Sequence, residues 1–250
     1  MERKELVRYL DEYLKVREIR DDSRNGLQVE GRPEVRHVAL AVDACLGAFQ
    51  QAGEVGADLL IVHHGLFWES YRPLVGVHLR RIRKLLEQDI SLYAVHLPLD
   101  AHPEVGNNVA LAQLLGLEVV GPFGEYHGVR IGLEVRPAAP VSPQEFARLV
   151  QERLEVPVTL QPYGPAQVRR VGIVSGGGGS LIQQAGEEGL DLFLTGERSH
   201  SYYHMAEELG LHVLYAGHYV TETAGLRALG RHLAERFGLQ ITFVPLPTGL

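Results

Sequence analysis

Histidine and carboxylate side chains come in three groups in this sequence, each just after a short apolar segment. The groups are His63 with His64, His96 with Asp100, and His218 with Glu222. Imidazole nitrogens and carboxylate oxygens together suit zinc, iron, manganese, cobalt or nickel. Since five or six such side chains exceed the ligands of one tetrahedral zinc site, their number favours two metal ions bridged by a carboxylate and a water.

Each group also has a structural alternative when it is taken alone. A histidine at a strand end is more often a structural residue than a ligand, and His63 and His64 would point to opposite faces of a regular strand. Both can reach one site only if the chain turns, which Gly65 directly after them permits. The repeated His-x-x-x-acid spacing makes metal binding the stronger interpretation. A catalytic triad fits less well, because no serine or cysteine lies on a recognisable nucleophile elbow and Cys45 suits the core.

The elements that would position these groups alternate in type along the chain. Short apolar runs between amphipathic segments predict an α/β fold, and the uninterrupted apolar runs are typical of parallel strands buried on both faces. Strands are predicted at 38–42, 59–62, 92–95, 171–174, 192–194, 213–216 and 241–244, and helices near 6–14, 80–88, 181–188, 202–209 and 222–237. A further helix is predicted to start at residues 142–145, where a hydroxyl cap, a proline and a glutamate follow one another in the order typical of a helix start.

An internal repeat relates the two halves of the chain. Residues 56–60 (GADLL) resemble residues 189–193 (GLDLF), and residues 92–96 (LYAVH) resemble residues 214–218 (LYAGH). Two matches in the same order favour two related α/β lobes. Because active residues of such lobes gather at the carboxyl ends of parallel strands, we expect a dinuclear metal site in the cleft between the lobes.

The boundary between the lobes is expected near residue 124, because prolines concentrate in residues 121–170. This gives an N-terminal lobe of residues 1–124 and a C-terminal lobe of residues 125–250. A C-terminal helix that packs back on the first lobe is the alternative. By the first repeat offset, Glu197 stands where the first half has His64, so it is a candidate partner of the metal ligands.

Three further features have two interpretations each. The segment Gly176–Gly179 could present backbone N–H groups to a phosphate, but it lacks the Gly-Lys-Ser/Thr ending of a P-loop and also fits a tight turn. Phe67 and Trp68 could stack on a planar base or sugar, or pack in the core. His200 and His204 lie on one helix face and could bind a metal ion, although a solvated face is the stronger interpretation.

Composition excludes several classes of protein. The chain has 45% hydrophobic residues and 22% charged residues, which excludes a disordered tail protein. Its single cysteine excludes intramolecular disulfides and cysteine-ligated clusters. No apolar run reaches the length of a membrane span, and the N-terminus lacks a signal peptide, so we expect a cytoplasmic protein. The net charge of −7 argues against a surface covered with nucleic-acid-binding cations.

Several motifs together resemble the NGG-interacting-factor-three-like (Nif-three-like) family, whose members are also known as GTP cyclohydrolase I type 2 homologues. The matching segments are 25–31 (NGLQVEG), 62–65 (VHHG), 93–96 (YAVH) with Asp100, 195–197 (TGE) and 217–218 (GH) with Glu222. The resemblance implies two related α/β lobes around a dinuclear metal site, a ring-shaped homohexamer, and the compact form without a full inserted domain. It implies that the metal ligands are His63, His64, Asp100, His218 and Glu222. His96 would lie beside the metals as a proton-transfer group, which makes it the candidate catalytic residue.

The resemblance implies a metal-dependent hydrolase that binds two divalent ions per subunit, of iron, zinc, manganese, cobalt or nickel. Its substrate would be a nucleotide or related heterocycle, as for a GTP cyclohydrolase. The alternative is a ring-shaped metal-binding scaffold, or a nucleic-acid- or protein-binding module without hydrolase activity, for which the basic stretch of residues 80–84 is the motivating feature. Metal delivery or storage is a third hypothesis.

Overall fold

A computed structural model describes residues 1–70 and 72–250 of the chain. The helices are α1 (Arg3–Tyr13), α2 (Leu46–Glu54), α3 (Gly76–Gln88), α4 (Leu97–Asp100), α5 (Asn107–Leu114), α6 (Pro143–Leu154), α7 (Ile182–Glu187), α8 (Tyr203–Glu208), α9 (His218–Thr221) and α10 (Thr223–Phe237). The strands are β1 (Gly26–Val29), β2 (His37–Asp43), β3 (Leu59–His64), β4 (Ser91–Ala94), β5 (Glu118–Tyr126), β6 (Val129–Arg136), β7 (Thr159–Gln161), β8 (Val171–Val174), β9 (Leu192–Thr195), β10 (His212–Tyr215) and β11 (Gln240–Phe243).

The chain forms two compact units, and each contains its own β-sheet. One unit is Met1–Val105 with Leu226–Leu246, and the other is Gly106–Gly225 with Pro247–Leu250. These units differ from the predicted division at residue 124 in two ways. Leu111 of α5 packs in the core of the second unit, which places this helix there, and β11 pairs with β2 in parallel, which returns most of α10 to the first unit. None of the helices in the part of the chain described here has both the length and the apolar character that a membrane crossing requires.

The sheet of the first unit has the strand order β1-β4-β3-β2-β11. Strands β2, β3, β4 and β11 are parallel, whereas β1 is antiparallel to β4. Most buried side chains of β2, β3 and β4 are apolar on both faces, as the runs predicted. On one face, residues such as Leu60 and Leu92 belong to a cluster with Phe49 of α2 and Leu85 of α3. The parallel α/β arrangement expected for the first half is therefore confirmed.

The sheet of the second unit has the order β5-β6-β8-β9-β10-β7, in which β8, β9 and β10 are parallel. Strands β5 and β6 form an antiparallel hairpin that the sequence pattern does not predict, and it turns at His127 and Gly128 with φ of 52° and 82°. Helix α6 begins as predicted, because Ser142 and Glu145 form a capping box.

The repeated aspartates play the same structural role in both units. The Asp58 carboxylate accepts the backbone N–H groups of residues 36 and 37 (2.8 and 3.0 Å), just before and at the start of β2. The Asp191 carboxylate accepts those of residues 169 and 170 (both 2.8 Å), just before β8. These aspartates join neighbouring parallel strands at their amino ends, which lie opposite the histidine groups. The segments GADLL and GLDLF thus share an aspartate that connects two neighbouring strands.

The second repeat is shifted by one residue in the fold. In the parallel ladders Ser91 pairs with Leu59 and His212 pairs with Leu192, which makes Ser91 and His212 equivalent. By this register the counterpart of His96 is Gly217, whose φ is +94°. His96 is the residue before α4, whereas His218 is the first residue of α9. The two histidines are therefore analogous without occupying equivalent positions.

The ion pair between Glu134 and Arg170 supports a pH-dependent prediction. Arg170 donates to both carboxylate oxygens of Glu134, at 2.9 and 3.0 Å, and these hydrogen bonds lower the pKa of Glu134. The pair therefore stabilises the fold above the unfolded-state pKa of about 4.3, and this contribution is lost as the pH falls through the lowered pKa. We expect Glu134→Gln to reduce the free energy of unfolding by about 1 kcal/mol near neutral pH, and by less in acid.

Urea unfolding of Glu134→Gln at neutral and acidic pH checks this expectation, with the exposed Glu152→Gln as the control. Equal losses at both pH values would contradict it.

Candidate metal site

Three histidine rings lie together at the carboxyl ends of β3 and β4. The ring centroids of His63 and His64 are 4.8 Å apart, and that of His96 lies 5.0 and 5.6 Å from them. One ring nitrogen from each residue lies within 4.8 Å of the other two. His63 is fully buried, and the other two side chains are each 21% exposed. Three converging nitrogens at this spacing could hold a metal ion.

The adjacent residues His63 and His64 reach one site, and each ring is held by a different hydrogen-bond acceptor. His63 Nδ1 donates to the carbonyl oxygen of Val95 at 2.9 Å, whereas His64 Nδ1 lies 2.8 Å from Asp43 Oδ1. Gly65 does not have a positive φ, so a left-handed backbone is not what requires a glycine here. A Cβ at Gly65 would lie 2.6 Å from the Cβ of Ala94 and would also meet Gln28. Gly65 is needed for this close approach.

His96 is held by the carboxylate of Asp21, a residue that no sequence motif marks. Asp21 Oδ1 lies 2.9 Å from His96 Nδ1, and the same carboxylate accepts from the backbone N–H groups of Ser23 and Leu97 and from the Asn25 amide. The Asp21 side chain is 2% exposed. Burial by itself would raise the pKa of Asp21, but the hydrogen bonds and the charge of His96 outweigh it and lower this pKa to about 2. Asp21 is therefore a carboxylate at any ordinary pH.

The residues 25–31 motif also has a structural explanation. Asn25 Oδ1 accepts the backbone N–H of His96 at 2.8 Å. Gln28 accepts the N–H of Leu66 at 2.7 Å and donates to the carbonyl oxygen of Arg24 at 2.8 Å. This segment therefore holds the backbone at His96 and at Leu66, and its role is to position the histidine group.

The second unit brings His218 and Glu222 together. His218 Nε2 lies 3.2 Å from Glu222 Oε1, and His218 Nδ1 lies 2.9 Å from Glu197 Oε2. Glu222 is only 3% exposed, whereas Glu197 is largely exposed. The contact between Glu197 and His218 agrees with the role that the repeat predicted for Glu197.

The four histidines share one arrangement, with Nδ1 held by a hydrogen-bond acceptor. A carbonyl oxygen can only accept, so His63 carries its proton on Nδ1 when neutral, and the carboxylates beside His64, His96 and His218 favour the same tautomer. The lone pair of each neutral ring then lies on Nε2. In the first unit His63 Nε2 is 3.6 Å from Asp100 Oδ2, and Asp100 is buried. A nitrogen lone pair beside a carboxylate is a pairing that a cation stabilises, so these residues fit divalent metal ions.

The segment Gly176–Gly179 packs beside His218 and Glu222. The Gly176 and Gly178 N–H groups donate to the hydroxyls of Thr221 and Thr195, both at 3.0 Å. The Gly176 carbonyl accepts from the backbone of Gly196 and Glu197. These contacts favour the tight-turn interpretation of the segment, and phosphate contact stays a prediction.

Trp68 lies at the edge of the histidine group in the first unit. Its ring centroid is 5.2 Å from that of His96 and 6.3 Å from that of His64, and its Nε1 donates to the carbonyl oxygen of Gly65 at 3.1 Å. The side chain is half-buried, so one part of the indole is open to solvent. His200 and His204 are both exposed to solvent, and His204 lies near Glu207. This agrees with the interpretation that they belong to a solvated face.

Comparisons with known proteins agree with this fold and these motifs. A family model described as Duf34/NIF3 (NGG1p interacting factor 3) matches residues 1–248. A Pyrococcus abyssi protein named GTP cyclohydrolase 1 type 2 homolog is 46% identical over 251 residues, which cover 100% of both chains. The solved structure of protein ybgI, described as of unknown function, is 40% identical with a TM-score of 0.95 and 100% coverage of both chains.

The solved structure of TTHA1606 from Thermus thermophilus is 47% identical with a TM-score of 0.91, again over 100% of both chains. Identity at this level along the whole chain, together with the family match, extends the resemblance from the short motifs to the full length of the chain. The chain therefore belongs to the Duf34/NIF3 (NGG1p interacting factor 3) family.

Proposed function

We propose that the protein is a metal-dependent hydrolase that binds two divalent metal ions. The ligands in this proposal are His63, His64 and Asp100 of the first unit with His218 and Glu222 of the second. The observation that carries it is the shared orientation of the histidines, in which an acceptor at Nδ1 leaves Nε2 as the ligand atom. When bound, two such ions lower the pKa of water towards neutrality and stabilise negative charge on the substrate.

His96 has a different role in this proposal. Asp21 holds the proton of His96 on Nδ1, so Nε2 can accept a proton from the attacking water and later return it to the leaving group. Asp43 and Glu197 hold the rings of His64 and His218 in the ligand orientation. The half-buried Trp68 beside His96 offers an aromatic face on which a planar substrate can lie.

The substrate class in this proposal follows from the relatives, whose shared name is GTP cyclohydrolase 1 type 2 homolog. A nucleotide or related heterocycle would be opened when water adds to a ring carbon, which for guanine is C8, and the bond from that carbon to a ring nitrogen breaks, with the proton going to the leaving nitrogen. A metal-holding protein without hydrolase activity would use the same ligands. Turnover of a nucleotide panel by the fully metal-loaded protein separates the two, because only the hydrolase releases product.

Metal analysis of anaerobically purified variants tests the proposal. We expect His63→Ala and Glu222→Ala to lose bound metal and turnover together, because each variant removes one of the five proposed metal ligands. The exposed His204→Ala is the matched control and should retain both. Full activity in a metal-free His63→Ala protein would reject the mechanism.

The single tryptophan supplies a direct readout of metal binding. Since Trp68 is the only tryptophan and its ring lies beside His64 and His96, we expect Mn²⁺ added to the metal-free protein to change its fluorescence until the site is saturated. The His64→Ala variant should show a weaker change at the same metal concentration. Fluorescence that does not respond to metal, in protein shown by metal analysis to bind it, would contradict this placement.

The predicted hexamer and the predicted nucleic-acid partner stay predictions. Light scattering of the purified protein would measure the first. Retention on DNA at low salt, followed by release as the salt concentration rises, would measure the second.

A further inference from the structure

A cavity in the first unit is lined mainly by charged residues and by none of the histidine groups. Its volume is about 500 Å³, which is in the range of sites for small molecules. The walls come from one face of α1, from the segment of residues 15–18 after it, and from β1. Val7 and Leu27 supply the apolar part of the lining.

A buried arginine lines this cavity. Arg3 is 8% exposed, and its guanidinium donates to the carbonyl oxygen of Gly31 and lies 3.3 Å from Glu30. Its Nε is buried and has no hydrogen-bond partner among the described residues. This Nε is closed off from solvent, so Arg3 can face a ligand in the cavity only through its terminal nitrogens.

Three more cations line the cavity without an opposing carboxylate. Lys4, Arg8 and Arg17 have no carboxylate oxygen within 4 Å in the described part of the chain, whereas Arg3 and Lys15 each have one. Two acidic lining residues are paired within the lining, Glu18 with Lys15 and Glu30 with Arg3, and Asp11 accepts the hydroxyl of Tyr93 at 2.9 Å. Asp11 and Glu12 form no ion pair in the described structure, and the five cationic lining residues outnumber the four acidic ones by one. Positive charge is therefore in excess.

We propose that this cavity binds a small organic anion through its phosphate or carboxylate group. The anionic group accepts from Arg8, Lys4 and the buried Arg3, and its apolar part lies against Val7 and Leu27. Charge-assisted hydrogen bonds of this kind are the strong ones in proteins, and guanidinium groups recognise both oxyanions through paired donors. The site uses no metal ligand, so it is independent of the hydrolase proposal.

Calorimetric titration of metal-free full-length protein tests this site, with pyrophosphate and succinate as the two probes. Chelation of the metals beforehand removes the route by which pyrophosphate would bind at the histidine groups. We expect saturable binding of at least one probe, and the probe that binds distinguishes a phosphate from a carboxylate ligand. Arg8→Gln and Lys4→Gln should each weaken binding about tenfold, the equivalent of one charge-assisted contact. Both side chains are exposed, so their loss leaves the fold intact.

Arg83→Gln on α3 is the matched control, because it removes the same charge from an exposed helix position outside the cavity. It should leave the affinity unchanged. Binding of neither probe at millimolar concentration, or equal weakening by Arg83→Gln and Arg8→Gln, would overturn the proposal. The His64→Ala variant should bind the probe as the wild type does, so loss of the metal site and loss of the anion site are measured separately.

Discussion

Replacement of Gly176 by alanine is expected to reduce metal binding by the second unit at least tenfold, because two effects of the new Cβ combine. The φ of Gly176 is +61°, a conformation that costs an alanine about 1–2 kcal/mol. The added Cβ would also fall on Glu222 Oε1 and lie 3.1 Å from His218 Nε2. The carboxylate, which is 3% exposed, has to move, and it is one of the proposed ligands. Metal content and urea unfolding of the Gly176→Ala protein measure the two effects.

Gly177→Ala is the matched control in the next position. Its φ is −91°, and a Cβ there would lie 3.6 Å from Glu197 Oε2 and 3.8 Å from His218 Cε1, which are ordinary contacts. This variant should bind metal as the wild type does. If Gly176→Ala retained full metal content, Glu222 could not be a required ligand in the position that the structure gives it.

The repeat explains why a glycine is required at this position. By the offset that relates Asp58 to Asp191, Gly176 occupies the place of Asp43. In the first unit the Asp43 carboxylate holds His64. In the second unit the absent side chain makes room for Glu222, and Glu197, in the place of His64, holds His218 instead. One strand-turn framework thus carries two different sets of polar residues.

The elements and the proposed ligands could be found from the sequence because their signals are local. Apolar runs revealed β2, β3, β8 and β9, and the spacing of His-x-x-x-acid marked the polar groups that follow β4 and β10. The parallel register also pairs Asp43 with His64, so a strand alignment would have found that contact.

The remaining features depend on long-range contacts. Asp21 lies in an irregular segment 75 residues before His96, and no periodicity connects them. The β5–β6 hairpin contains Gly121, Pro122 and Gly124, which interrupt the alternation that predicts a strand. The place of β11 was set by the open edge of β2 in another part of the chain. Sequence periodicity reports which face of an element is buried, but it does not report the neighbour that covers that face.

Asp21→Asn should leave the metal ligands in place and still reduce turnover by 10- to 100-fold, because Asp21 acts through His96. The carboxylate accepts four hydrogen bonds, from Ser23, Asn25, His96 and Leu97. An amide at this position directs its NH₂ group at two of these donors. We expect the free energy of unfolding near neutral pH to fall by about 2–4 kcal/mol, the cost of buried donors left without acceptors.

The pH dependence of the unfolding free energy tests whether the Asp21 carboxylate causes the loss of stability. The pKa of Asp21 is about 2 in the folded protein, below its unfolded value, so its contribution is fully present above about pH 4 and is lost as the pH falls towards 2. The difference in unfolding free energy between wild type and Asp21→Asn should therefore shrink in acid. Asp22→Asn, an exposed neighbour, is the control and should show no such dependence.

The tautomer of His96 distinguishes positioning from a general loss of stability. In the wild type Asp21 holds the proton on Nδ1, and nitrogen NMR of histidine-labelled protein should report that tautomer. In Asp21→Asn the proton should redistribute to Nε2, the atom that has to accept a proton in the proposed reaction. Reduced turnover with full metal content and an altered tautomer would establish Asp21 as the positioning residue of His96. An unchanged tautomer would show that the backbone hydrogen bonds alone hold His96.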